Sequence, residues 1–307
     1  MKYADTDILI DSTLLNRIQE KKKRLDSLRP LPRDSLKKLL EDIRIRHTYH
    51  SDAIEGNTLT LQETKLVLEE GITIGGKPLK DHIEAKNDAE AFDLIIRLSN
   101  EKQDITQEII QQIHDIVTKG TLVSSGKYRT ENVRIGGSKT SPPSYLKILK
   151  LMEEFISEVN SLKLHPIKMA TFIHFRLVAI HPFLDGNGRV ARLVTNLYLI
   201  SKGYPPIVLK KEDRRTYYSV LQKADNGNLS PFAEFISIAL NEALMIYLSS
   251  FVKDDFLVSL KELAKLSPYS QEYLSLRARQ GRLDAVKEDN VWYSSKRALK
   301  VYLKSLR

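Results

Sequence analysis

Residues 166–192 read PIKMATFIHFRLVAIHPFLDGNGRVAR, and the fold follows from how that stretch must behave. Pro166 suits a first helical position, and apolar residues fall on nearly every face up to Ile180, the pattern of a helix buried all round. Pro182 disfavours helical backbone at His181, so the helix stops there. A second helix starts near Gly188 or Arg189, carries RVARLVTNLYLISK and stops at Gly203. Two core helices thus pin a short loop holding a histidine, an acid, two glycines and two arginines.

Gly186, Asn187 and Gly188 stand at the second helix's N-terminus, where unpaired N–H groups and the dipole favour an anion. The glycines let the backbone come close to phosphate oxygens and form a concave nest. Arg189 and Arg192 are three apart, so both guanidinium groups can face the same anion. Asp185 is an acid beside an anion site; a divalent cation bridging it to phosphates resolves the conflict, and oxygen ligation points to magnesium. His181 is the base at neutral pH beside this cradle. Asp-Gly-Asn-Gly alone is an ordinary turn. Its occurrence with the histidine and the spaced arginines after a buried helix is what indicates chemistry.

The stretch resembles the signature of Fic-domain proteins, HxFx(D/E)GN(G/K)RxxR, at every specified position. The resemblance implies a mainly α-helical fold and transfer of AMP from ATP to a hydroxyl side chain of a protein. It makes His181 the general base and Asp185 the Mg2+ ligand. Asn187 and the backbone of Gly186 and Gly188 become the α-phosphate site, and Arg189 and Arg192 the outer-phosphate contacts. Gly188, where kinase-type relatives carry Lys, argues against a reversed nucleotide.

Upstream, Leu36, Leu39, Leu40, Ile43, His47, His50 and Ile54 form one stripe of a helix that starts at Asp34 or Ser35 and ends at Glu55–Gly56. His47 and His50 lie on that stripe with no third ligand near in sequence, and read as core histidines rather than a metal pair. Ser51 and Glu55 are four apart on one face, so the hydroxyl can hold the carboxylate. Ser51 to Gly56 also resembles the (S/T)xxxE(G/N) inhibitory motif of Fic proteins. That resemblance pairs Glu55 with Arg192, in the γ-phosphate position. Thr60 to Glu63 is a capping box. GITIGGKP, Gly71–Pro78, satisfies GxxxxGK, but Pro78 stands where a P-loop needs a hydroxyl and an N–H, so it reads as a turn.

Helical spacing recurs over 80–98, 106–118 and 145–162. Between them, residues 126–143 are punctuated by Gly, Ser and Pro around a β-like run, Asn132 to Ile135. In Fic proteins the matching region, opening Gly-x-Tyr-Arg like Gly126 to Arg129, is a short β-hairpin flap that holds the target protein as an added strand. Tyr217 and Tyr218 sit on a further helix; similar tyrosines line the Fic base pocket, and the same spacing is ordinary for core. Asp225 stands where some relatives carry Asn.

Phe251 to Arg307 holds 12 basic and 7 acidic residues, so +5 of the net +9 falls there. Capping signals at Ser259 and Ser270, a hairpin around Glu288-Asp289-Asn290 and a last helix from Ser295 give the order of a small winged helix-turn-helix, resembling excisionase-type modules. Arg277, Arg279, Arg282 and Lys287 would contact DNA phosphates, with protein docking or dimerisation as the other use. The KKKR run near the N-terminus reads as a solvated helix face.

With 42% hydrophobic and 28% charged residues the composition is that of a soluble globular protein. The absence of cysteine excludes disulfides and thiol catalysis and fits a reducing compartment. No apolar run reaches membrane-spanning length and MKYADTDILI lacks a signal-peptide pattern, so no membrane and a cytoplasmic location are expected. The expected organisation is 1–75, helical and carrying the inhibitory motif; 76–250, the Fic-type core; and 251–307, the winged module. The expected function is a protein adenylyltransferase that uses ATP and Mg2+, with a target protein on the flap. The chain itself and a second copy are further candidate partners. Removal of AMP at the same site, and a DNA-binding regulator whose core senses nucleotide, are the competing readings.

Overall fold

The computed structural model describes residues 8–135 and 140–306. Helices follow one another as α1 (Ser12–Ser27), α2 (Arg33–Glu55), α3 (Leu61–Glu69), α4 (Leu79–Asn100), α5 (Gln107–Thr118), α6 (Ile148–Ser161), α7 (Pro166–Ile180), α8 (Asn187–Ser201), α9 (Arg214–Asp225) and α10 (Ser230–Phe251). The chain continues through β1 (Val258–Ser259), α11 (Leu260–Ala264), α12 (Gln271–Arg279), β2 (Val286–Glu288), β3 (Val291–Ser294) and α13 (Lys296–Lys304). The mainly α class matches the expectation. The contacts group the chain into two units, one built on Leu40–Ala239 and the other on Leu240–Arg307 together with Thr13–Leu39.

In the first unit α8 packs against α4, α5 and α7. Its residues 189–199 are buried almost without interruption, as are 11 of the residues of α7. Phe92, Phe155, Phe172, Phe175 and Phe183 are fully buried around these helices, each stabilising by about 1.5–3 kcal/mol relative to exposure. The ends obey local chemistry. Thr60 and Glu63 form the reciprocal capping box of α3, and Thr106 caps α5. Pro78 immediately precedes α4, and Lys77 bonds the Thr58 carbonyl, so Gly71–Pro78 is a tethered turn and not a phosphate loop. Asn132–Ile135 forms no ladder among the described residues, and Gly136–Lys139, the rest of the expected hairpin tip, lies outside them.

The second unit holds an antiparallel sheet in the order β1-β3-β2. Asp289 and Asn290, both at positive φ, make the two-residue turn between β2 and β3. Leu260, Leu263, Leu274, Ala278, Leu283, Leu299 and Tyr302 form its core. The basic face of α1 is not simply solvated. Arg17 donates to the Gly281 and Arg282 carbonyls, Lys21 pairs with Asp284 and Arg24 with Asp255. One expectation needs correcting: α10 is long and apolar enough to cross a membrane by length and composition. Most of it is nevertheless buried inside the protein, and it carries Glu234, Asn241 and Glu242.

Candidate active site

His181 ends α7 in the left-handed conformation, φ 51° and ψ 59°, a costly backbone for a residue with a Cβ. Its N–H donates to the Leu177 carbonyl at 3.0 Å, and its own carbonyl accepts from Arg129 Nε at 2.8 Å. Nδ1 lies 3.3 Å from the Val178 carbonyl. A carbonyl can only accept, so Nδ1 carries the proton and Nε2 keeps a free lone pair. Burial lowers the imidazole's pKa, and Arg129 lowers it further. Phe183 is fully buried in a 3.7 Å parallel stack on His114. These contacts set the loop.

Asn187 closes the turn with its side chain, accepting from the Phe183 N–H at 3.0 Å and donating to its carbonyl at 2.9 Å. Its backbone N–H and the second N–H of its amide are left for a ligand. Asp185 Oδ1 accepts the Gly186 N–H at 2.7 Å. The N–H groups of Asn187 and Gly188 remain as first-turn donors of α8. Gly186, at φ 77°, has Thr118 and His114 so close that a Cβ there would be crowded.

Over Gly188 the chain places its own acid. A Cβ at position 188 would collide with Glu55 Oε1 and stand 3.3 Å from Arg192 Nη1. Arg192 Nη2 donates to Glu55 Oε1 at 2.7 Å. Arg192 Nη1 is buried and makes no hydrogen bond. Ser51 does not hold the Glu55 carboxylate as the spacing suggested. Its Oγ accepts from Arg192 Nε at 3.0 Å and its carbonyl from Nη2 at 2.9 Å, because the planar fork spans that turn of α2. Burial opposes the charge on Arg192, but Glu55, Tyr217 and Asp88 together more than offset it and the pKa is raised.

Arg189 departs from the expected convergence with Arg192. Its Nη1 lies 3.1 Å from Glu84 Oε1 on α4 and 4.0 Å from Asp52 Oδ1, and its Nη2 3.9 Å from Asp185 Oδ2. The spacing put both arginines on one face, but it could not show the acids that α2 and α4 bring to that face. Asp52 is fully buried with neither carboxylate oxygen hydrogen-bonded; burial and Asp88 raise its pKa well above the ordinary range. His47 pairs with Asp88 at 3.1 Å, whereas His50 accepts from the Lys211 N–H. The two histidines have separate partners.

The tyrosines part company. Tyr217 is buried, with its hydroxyl 2.8 Å from His174 Nε2, and belongs to the core. Tyr218 is 38% exposed, stacks against Arg214 at 5.0 Å and lines a cleft of about 1220 Å³. Val178, Ile180, Arg176, Leu221, Gln222 and Asp225 also line it. In the second unit Arg277 lies over Tyr273 at 4.6 Å, and Arg279, Arg282 and Lys287 are exposed.

Two participants, His114 and Glu84, had no signature in the sequence, and Arg129 stood only as the last residue of the Gly-x-Tyr-Arg run with no role attached. The partners of Arg129 are backbone carbonyls up to 52 residues away, which side-chain spacing cannot reveal. His114 reads as one more position on the buried stripe of α5.

Comparison with known proteins agrees with this geometry. The Fic/DOC family matches residues 104–199. The protein adenylyltransferase Fic of Drosophila mojavensis is 34% identical over 253 residues, 80% of this chain and 49% of that protein. The chain thus spans about half the length of the curated relatives it matches. A Fic domain containing signaling protein from Bacteroides thetaiotaomicron superposes with a TM-score of 0.71 at 29% identity, covering 76% of this chain and 97% of that one. A Fic family protein from Desulfovibrio desulfuricans shares the fold over 95% of this chain and 98% of its own, with a TM-score of 0.66 at 21% identity. From the motif, the helices that carry it and these relatives together, the chain belongs to the Fic/DOC family.

Proposed function

We propose that the protein is an adenylyltransferase that moves AMP from ATP to a hydroxyl group of a target protein and that Glu55 restrains it. The observation that carries this reading is the Glu55 carboxylate lying over Gly188 against Arg192. A helix N-terminus with a glycine, two free N–H groups and an unpaired guanidinium N–H is built for an anion, and an anion of the chain's own sits in it.

With Glu55 displaced, Arg192 and the α8 N-terminus hold the outer phosphates, and the cleft beside Tyr218 takes the base and ribose. His181 Nε2 accepts the proton of the target hydroxyl. That oxygen then bonds to the α-phosphorus, the bond to the bridging oxygen breaks, and pyrophosphate leaves. General-base removal costs on the order of 10² to 10⁴ in rate.

Asp185 fits a magnesium role. Its carboxylate is 62% exposed and has one oxygen on the Gly186 N–H. No group of three or more acids or histidines could hold a metal among the described residues. Magnesium bound through one carboxylate together with substrate phosphates needs no such group. Bound there, it supplies charge neutralisation of the triphosphate.

Residues 126–143 serve as the surface on which the target is presented. The test is intact-mass spectrometry of Glu55→Gly protein after incubation with ATP and magnesium, alone and with lysate. AMP adducts are expected; their absence from every protein overturns the reading.

A further inference from the structure

Arg129 is 3% exposed, and among the described residues no carboxylate pairs with it. A buried cation without an acid is costly, so its hydrogen bonds must be worth that cost. All of them go to backbone carbonyls from separate stretches. Nε donates to His181 O at 2.8 Å, Nη1 to Glu131 O at 2.8 Å and Nη2 to Pro143 O. The Arg129 N–H adds a fourth bond, to Pro182 O at 2.9 Å.

One rigid fork therefore grips both arms of the flap segment and the backbone of the left-handed histidine. A second tie runs parallel to it. His114 accepts the Gly126 N–H at 2.9 Å through Nδ1, which leaves Nε2 to donate to Asp185 O at 3.1 Å. The base of the flap segment is thus bonded to the catalytic loop at both of its ends.

We propose that Arg129 is a positioning residue that holds the target-presenting segment and the His181 imidazole in one fixed geometry. The inference rests on the adenylyl-transfer reading. Arg129 touches nothing over Gly188 and does not itself line the cleft at Tyr218, whose wall includes only its partner Pro143, so its loss should affect transfer more than nucleotide binding. A misplacement of about 1 Å at a reacting centre costs on the order of 10² in rate.

The test uses the full chain carrying Glu55→Gly, with α-labelled ATP, magnesium and lysate proteins as acceptors. Arg129→Gln should lower kcat for label incorporation by roughly 10²-fold, with a far smaller change in KM for ATP through the tie to Pro143 at the cleft wall. Arg129→Lys, which keeps the charge and one bond but lacks the fork, should lie between it and the parent. Should Arg129→Gln lose its cooperative thermal melt, Arg129→Lys alone decides. An unchanged kcat overturns the proposal, as does a rise in KM for ATP that matches the loss of rate. Failure of the Glu55→Gly parent to transfer label would instead sink the adenylyl-transfer reading, and this inference with it.

Discussion

Oε1 of Glu55 accepts a hydrogen bond from Nη2 of Arg192 at 2.7 Å while Ser51, one helical turn earlier, takes two further bonds from the same guanidinium. The Glu55 side chain is 35% exposed and Arg192's only 2%. The arginine is fixed, then, and the acid is the partner that can leave. A coupled contact of this kind biases an equilibrium by about 1–3 kcal/mol, or roughly 5- to 150-fold. Glu55→Gly should raise ATP-dependent labelling within that range, read by α-label incorporation. Equal labelling of variant and parent would remove the brake from the account.

Gly188 gives a separate handle on the same space. In the Glu55→Gly background, Gly188→Ala places a methyl group about where the carboxylate stood, next to Arg192 Nη1. KM for ATP should rise at least several-fold without loss of thermal stability, since alanine favours helix over glycine by about 1 kcal/mol. An unchanged KM would mean that phosphate does not use this cradle.

How far the sequence carried the reading can be judged from single residues. The helix 166–180, the break at His181, the caps at Thr60, Ser259 and Ser270 and the pairing of Glu55 with Arg192 were legible, because each depends on local chemistry or on a long motif. Ser51 was read with the wrong partner, and the acids that surround Arg189 were not foreseen. Spacing along one helix says which residues share a face, but not which acid a distant helix brings there. The role of Arg129, beyond its place in the Gly-x-Tyr-Arg run, was invisible because its partners are carbonyls, which every residue possesses. Tyr217 and Tyr218 differ by one position and hence by about 100° around α9, which decides core against cleft.

That difference yields a paired prediction. Tyr217→Phe leaves His174 Nε2 without its hydroxyl partner and should cost about 1–3 kcal/mol of stability, with KM for ATP unchanged. Tyr218→Ala should do the reverse, raising KM and leaving the thermal midpoint nearly in place. The reverse assignment of effects would put the base elsewhere.

Acid should weaken the fold through its buried histidines. Burial lowers the pKa of His114 to about 4 and of His50 and His174 to about 3. Each is neutral in the folded protein and titrates near 6.5 when unfolded, so the unfolded chain binds more protons between those values. Their contribution is complete above pH 6.5 and is lost as pH falls toward 3–4. The loss is on the order of 3 kcal/mol for His114 alone. Thermal midpoints measured from pH 7 to 4 should fall steadily; a flat profile would show that these imidazoles are not buried and neutral.

In the proposed reaction His181 takes the proton in its neutral form, and burial lowers its pKa. Transfer should therefore persist to more acid pH than the ordinary histidine value of about 6.5 allows. A rate profile of Glu55→Gly protein whose acid limb sits above that value would contradict the buried, unprotonated imidazole.

The most direct measurement compares Glu55→Gly with the Glu55→Gly, His181→Ala double variant, each given ATP labelled at the α- or the γ-phosphate. The account predicts α-label on protein from the first and none from the second, with no γ-label from either. Equal α-labelling by both variants, or transfer of γ-label, would contradict it.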